Sequence, residues 1–464
     1  MSNVSVANVS MVFSERFEPF IKECPICVMA RSVVENIANP KHIDAIFERT
    51  AKKQYTRELL FSTLADLMGQ VVLGIKPSVH AAWQAQAQGL KVSDQAVYDK
   101  LNCVEPEVSA ELVRDSARQA AAVIKALNAT LPPVLPGYRI RILDGNHLSA
   151  TQRRIKELRS IWDAPLPGQI LVVLDPELML VPDVILCQDG HAQERSMLGE
   201  VLQLVKAGEL WIADRNFCTF DFLCGVENRQ AAYLIRQHGK TQGELLGKAK
   251  AGGQTSTGKV YEQQLRLTDI KGNSFITRRI TVRLYKPTRD GDEEIHLLTN
   301  LPEKIKARQV ADLYAKRWGI EVMFHELTST LTCEINTLGY PKAALFGFCL
   351  ALMAYHAVSV IKAAMRSVHG QQTVEQNISG YYLSLEISEA YRGMMIAIPP
   401  EHWTQFRTLS AACMAEILRH LAANMVLSRY QKHPRGPKKP PPERTQYRKG
   451  GHVATARLIA GRTT

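Results

Sequence analysis

Paired cysteine motifs are nearly absent from this sequence. Its nine cysteines are scattered over 464 residues, and only Cys24 and Cys27 form a Cys-x-x-Cys. No second pair and no paired histidines follow at zinc-ligand spacing, which argues against a structural zinc site. With no secretory leader at the start, the cysteine pattern points to a reducing cytosol rather than to a disulfide framework. Long apolar runs are also scarce. One run, 343–360 (AALFGFCLALMAYHAVSV), has the length of a membrane span, yet it contains His356 and Ser359 and reads as a buried core helix. Negative charge is missing from one place in particular. Residues 429–464 hold ten Lys and Arg and one acidic residue, a net +9. That leaves +3 of the total +12 for the other 428 residues, so the tail makes the protein basic. A basic tail suits a polyanionic partner such as DNA or RNA.

What is present suggests several units. Residues 1–130 read as a helical N-terminal region. Within it, 77–102 predicts a helix from Ser78 to Gln88, a turn at Gly89, and a second helix capped by Ser93. That pair fits a helix-turn-helix, which would offer Asp94, Gln95, Tyr98 and Lys100 to a DNA groove. From Tyr138 the texture changes to strand, strand, strand, helix, strand, helix, strand. Residues 239–300 interrupt this order. They begin as a loop and continue as a half-exposed strand with a hairpin turn at Asp290 and Gly291. The core then spans 138–238 and 301–365. C-terminal helices follow over 366–428, and 429–464 reads as a basic, disordered tail.

Three carboxylates are conspicuous by placement. YRIRILDGNHL and ELWIADRNF put Asp144 and Asp214 each directly after a hydrophobic strand, where ligand sites in α/β sheets concentrate. The third lies in LYAKRWGIEVMFHELTSTL, residues 313–331. On a helical wheel, Leu313, Ile320, Phe324, Leu327 and Leu331 form an apolar stripe. Tyr314, Arg317, Glu321 and Thr328 form a polar wedge along its edge rather than opposite it. An intrahelical Arg–Glu pair would explain this wedge, and so would an active site. Hard divalent cations take oxygen ligands, and Mg2+ is held by a few carboxylates plus water and substrate phosphate. Two such ions can drive phosphodiester transfer.

The chain resembles the DDE transposases of bacterial insertion sequences, in the group with a Tyr-x2-Arg-x3-Glu-x6-Lys signature. LDGNHL, WIADRNF and YAKRWGIE carry the resemblance, and LGYPKAALFGF and RGPKKPPPER are also similar. It implies an α/β fold: a ribonuclease-H-like mixed sheet core with a β-rich insertion, a helical N-terminal domain before it and a helical C-terminal region after it. It implies Asp144, Asp214 and Glu321 as a catalytic, metal-binding triad for two Mg2+ ions, with Mn2+ able to substitute. Tyr314 and Arg317 would contact element-end phosphates, with Arg215 and the tail residues Lys438 and Lys439 as further DNA contacts. The implied activity is cleavage at the ends of an insertion sequence and transfer of the 3′ ends to target DNA. The partners would be double-stranded DNA and a second copy of the chain, in the bacterial cytoplasm and at no membrane. There is one departure: the signature lysine falls on Thr328, and Lys316 points away from the wedge. Thr328 favours an alternative, a DNA-binding regulator or inactive remnant with the same fold. Trp318 is expected to pack.

Overall fold

A computed structural model describes residues 13–461, except 55, 57, 149–154, 159–160, 162, 289–290, 332, 334, 336–337 and 434–450. Lys438 and Lys439, and Asp290 of the expected hairpin turn, lie outside the described residues.

The N-terminal region is helical as its composition suggests. Helices span Pro25–Ile37, Pro40–Thr50, Phe61–Val72, Val79–Gln86, Asp94–Cys103 and Pro106–Ala126. Three of them start on proline, whose fixed φ and missing N–H suit the first helical position. Ser78 and Ser93 cap the two helices of the expected helix-turn-helix, their hydroxyls accepting from the amides of Ala81 and Ala96. The reading fails at Lys100. Its ammonium donates to the carbonyl of Leu59 at 2.5 Å and lies 5.1 Å from the Phe47 ring centroid. Burial holds it below its ordinary pKa, so it serves the core and is not offered to a groove.

The central sheet begins at β1 (Arg139–Leu148). β2 (Ala164–Leu166) follows, then the hairpin β3 (Gly168–Asp175) and β4 (Leu180–Cys187). β5 (Glu209–Ala213) and β6 (Ala232–Arg236) come next, then β7 (Glu244–Gln254), β8 (Gly258–Thr268), β9 (Ser274–Leu284) and β10 (Glu294–Thr299). Nine of them form one mixed sheet in the order β4-β3-β1-β5-β6-β10-β9-β8-β7. β3 runs antiparallel to β1, whereas β5 and β6 run parallel to it. Every residue of β3 is buried, so it reads as a continuous apolar run with no alternation. Residues 239–300 contain β7 to β10, and the stretch expected to begin as a loop is mostly strand β7. They lengthen the same sheet, because β10 pairs antiparallel with β6.

Both faces of the sheet are covered. Ile140 and Ile142 pack in one core with residues of the helices Pro106–Ala126 and Pro341–His369. Leu143 packs in another with residues of Leu198–Leu204 and Phe220–Glu227. Away from the site, Arg141 pins the register, donating to Asp175 at 2.8 Å and Glu209 at 2.9 Å. Removing one partner of such a buried network costs about 3–5 kcal/mol. The apolar run 343–360 belongs to the helix Pro341–His369, which is 89% buried over its most apolar stretch. His356 is fully enclosed there. Its Nε2 accepts from the amide of Val181 at 3.1 Å, and burial lowers its pKa to about 3, so it stays neutral.

Two expectations about chain course need correction. Asp144 does not end its strand. β1 continues to Leu148 opposite β3, while its pairing with β5 stops at Leu143↔Ala213. The chain past Tyr430 is not all extended either. β11 (His452–Ala454) pairs parallel with β2, and a helix spans Thr455–Ile459. Val453 packs with Ile155 and Leu158, and Arg457 meets Asp189 at 2.9 Å. Three-residue strands carry no readable periodicity, so composition alone governed that expectation.

Candidate active site

Asp144 and Asp214 come together because β1 and β5 are parallel neighbours in register up to the residue before each. β5 ends there, so the edge of β1 beyond Leu143 has no parallel partner. Asp214 turns the chain: its Oδ1 accepts from the amide of Asn216 at 2.7 Å, capping the short helix Arg215–Phe217. Asp144 accepts from the amide of Gly145 at 3.0 Å. Burial pushes the Asp144 carboxyl up to about 6, and Asp214 and Glu194 push the same way. Arg317 and the Gly145 amide oppose them.

Glu321 arrives through Arg317. The guanidinium donates to Asp144 Oδ2 at 3.3 Å and to Glu321 Oε1 at 2.5 Å, joining strand to helix. The expected intrahelical pair therefore exists, and it also reaches the sheet. The Nε of Arg317 is buried without a hydrogen-bond partner. Tyr314 is pushed up to about 12, mainly by burial, so its phenol keeps its proton.

The motif segment is not one helix. Ala307–Tyr314 and Trp318–Thr330 are separated by the 3-10 turn Ala315–Arg317. A 3-10 turn advances ~20° more per residue than an α-helix, so three residues rotate the second helix by ~60°. That rotation explains two departures from a single wheel. Met323 enters the core with no exposed surface, and Trp318 is 64% exposed instead of packed. Thr328 is exposed, and its hydroxyl donates to the carbonyls of Phe324 and His325 on its own helix.

Sequence reasoning missed a fourth carboxylate. Glu194 accepts from the side chain of Asn216 at 3.2 Å, and its other oxygen lies over Gly145. Burial raises its pKa, with Asp214 adding to the rise and Asn216 and His147 opposing it. The signal was the glycine in LDGNHL, since glycine inside a strand marks a close approach. Arg215 was expected as a DNA contact, but its cationic neighbours Arg195 and Lys240 were missed. His238 is held below its ordinary value by burial first, then by Arg195, Lys240 and Arg215. Arg215 and Lys240 are exposed there, a surface suited to a polyanion.

The donor set is one of carboxylate oxygens, which suits a hard divalent cation. Among the described residues, no three acidic, histidine or cysteine side chains are close enough to hold one. Arg317 instead supplies the positive charge between Asp144 and Glu321.

No curated protein matches the chain. Among solved structures, a piggyBac transposase in a synaptic complex with hairpin DNA is similar at 10% identity. The match covers 82% of this chain and 83% of that one, with a TM-score of 0.41. Residues 135–356, the stretch that contains Asp144, Asp214, Glu194, Arg317 and Glu321, match the family model described as the transposase DDE domain.

Proposed function

We propose that the chain is a DNA transposase of the insertion-sequence group with the Tyr-Arg-Glu signature. It would cut the ends of its element and join the freed 3′ ends to target DNA. The observation that carries this reading is the side-by-side placement of Asp144 and Asp214 with Glu321 tied to Asp144 by Arg317, inside the segment that matches the DDE family model. The strand order β4-β3-β1-β5-β6, with the first two antiparallel and the last two parallel to β1, supports a ribonuclease-H-like core. On this reading 1–130 is a DNA-binding domain, and 239–300 is an insertion that widens the core sheet.

The reading assigns Asp144, Asp214 and Glu321 to two divalent cations, Mg2+ or Mn2+, although among the described residues no three such side chains lie close enough to hold one. Held there, such ions would activate the attacking oxygen and stabilise the leaving one. The rest falls to the chain. Arg317 offers planar, charge-assisted donors that suit a phosphate as well as the carboxylates they now hold. Tyr314, protonated through the physiological range, donates to the same phosphate. Arg215 and Lys240 draw the DNA backbone toward the carboxylates. A second copy of the chain holds the other element end. The exposed, self-satisfied Thr328 favours a second reading, a DNA-binding remnant without the chemistry.

One experiment separates them. A labelled duplex carrying the element's terminal sequence is incubated with Mg2+ or Mn2+, with wild type and with Glu321→Gln. Metal-dependent cutting by the wild type alone, with binding by both, supports the transposase. Binding without cutting by either protein overturns it in favour of the remnant.

A further inference from the structure

A cavity of about 840 Å3 lies among the helices Pro25–Ile37, Phe61–Val72, Pro341–His369 and Gly380–Ala397. No residue of the candidate active site lines it. Small side chains leave the space open. Ala65 and Gly69, one turn apart on Phe61–Val72, line it with Ala354, and a Cβ added at Gly69 would meet nothing within 4 Å. The walls are apolar: Ile37, Ile43, Val72, Leu350 and Met353 all line it and are buried. Ile396 also lines it and is 80% exposed, so the cavity reaches solvent.

One polar cluster interrupts these walls. Glu35, 3% exposed, accepts from Arg31 and, at 2.7 Å, from Arg407 Nε. Arg31 also donates to the Tyr391 hydroxyl at 2.9 Å. Burial pushes that phenol above its ordinary pKa, so it stays neutral. All four side chains line the cavity. Two guanidiniums therefore share one carboxylate, and the buried Nε of Arg31 makes no hydrogen bond. The other charged residues of the lining, Asp66 and Lys76, offset each other. Asp66 is held by the side-chain amides of Gln70 at 2.8 Å and Gln86 at 3.1 Å. The lining is thus left with an unbalanced positive charge and a buried donor without an acceptor, and both are costly away from water.

We propose that this cavity binds an amphipathic carboxylate, with its anion against Arg31 and Arg407 and its apolar body along the walls. The inference goes beyond the transposase reading and does not depend on it. A carboxylate fits the head of the site because its oxygens accept charge-assisted bonds from guanidinium N–H groups. The Tyr391 hydroxyl, which accepts from Arg31, keeps a proton to donate as well. An apolar body fits the remainder, since the volume is that of a small-molecule pocket and such pockets are apolar with a few convergent polar groups. Water or an inorganic anion would satisfy the Arg31 donor and leave the walls uncovered.

The test is calorimetric titration of the full chain with decanoate below its micelle concentration, with acetate and decan-1-ol as the head and the body tried separately. Decanoate should bind one-to-one and acetate should not bind. Wild type, Arg31→Met and Gly69→Leu are compared, with circular dichroism and thermal unfolding as checks on the fold. Arg31→Met keeps the length, removes the guanidinium and leaves Glu35 with Arg407. It should weaken decanoate by roughly tenfold or more and change decan-1-ol little. Gly69→Leu leaves the polar cluster intact and fills the open space, so it should weaken both, and it keeps the test decisive if Arg31→Met does not fold. The proposal is overturned if wild type binds no decanoate, if Gly69→Leu binds it as wild type does, or if decan-1-ol binds as tightly as decanoate. If decanoate does not bind and Gly69→Leu instead dissociates a dimer in sedimentation, the occupant is a second copy of the chain and the proposal is wrong.

Discussion

Replacing Asp144 by asparagine should stabilise the metal-free protein. The carboxyl is 19% exposed and has an Arg317 nitrogen at 3.3 Å, yet burial still raises its pKa from 3.8 to about 6. Each factor of ten in proton affinity is worth about 1.4 kcal/mol, so ionising Asp144 in the folded state costs roughly 3 kcal/mol. The sign follows from linkage. The folded protein holds this proton more tightly than the unfolded chain does. Stability from that proton is complete below pH ~4 and is lost as pH rises through about 6. Asparagine has no proton to lose, and Arg317 keeps Glu321 as its partner. The variant should therefore match wild type near pH 4 and exceed it by roughly 3 kcal/mol at pH 8. Urea unfolding in EDTA, at intervals across that range, measures the difference directly. A pH-independent difference, or a less stable variant at pH 8, would refute the reasoning. On the proposed function, adding Mn2+ should then narrow or reverse the order, because only the wild type would gain the mass-action stabilisation of a bound ion.

Two further outcomes are expected. Thr328→Lys replaces an exposed side chain bonded, among the described residues, only to its own helix, so stability should change by less than about 0.5 kcal/mol. Affinity for element-end DNA should rise, and the log–log salt slope should steepen by about one, read by anisotropy titrations at several salt concentrations. Ending the chain after Gly450 removes Val453 and the Arg457–Asp189 pair, uncovering Ile155 and Leu158. Burying a residue such as Val453 is worth about 2 kcal/mol, so proteolysis within 155–166 should speed up by roughly 30-fold. Unchanged cleavage kinetics there would mean that β11 contributes nothing to holding β2.

Much of the candidate site was legible because its signals are local. A hydrophobic strand followed by Asp214, and a glutamate one turn from an arginine beside an apolar stripe, are patterns within single elements. What escaped notice depended on pairs distant in sequence. The end of β1 could not be placed at Leu148 without seeing β3 opposite it, since GNHL has no strand-like run of its own. The 3-10 turn at Ala315–Arg317 hid behind good helix formers, and only the burial of Met323 and the exposure of Trp318 reveal its rotation. Lys100 looked like a groove contact because it lies on a capped second helix. The Leu59 carbonyl that claims it comes from another segment. Gly145 was visible throughout, but its meaning needed Glu194, 49 positions later in the chain.

The pairing of β11 with β2 ties the C-terminal stretch to the core at a second place. Lys432 is held by the carbonyls of Asn377 and Glu375. His452 pairs with Ala164 of β2, which itself lies in sequence between β1 and β3. The two ties fall on different parts of the fold, so either can be cut by substitution while the other stays, and their contributions to stability can be measured independently.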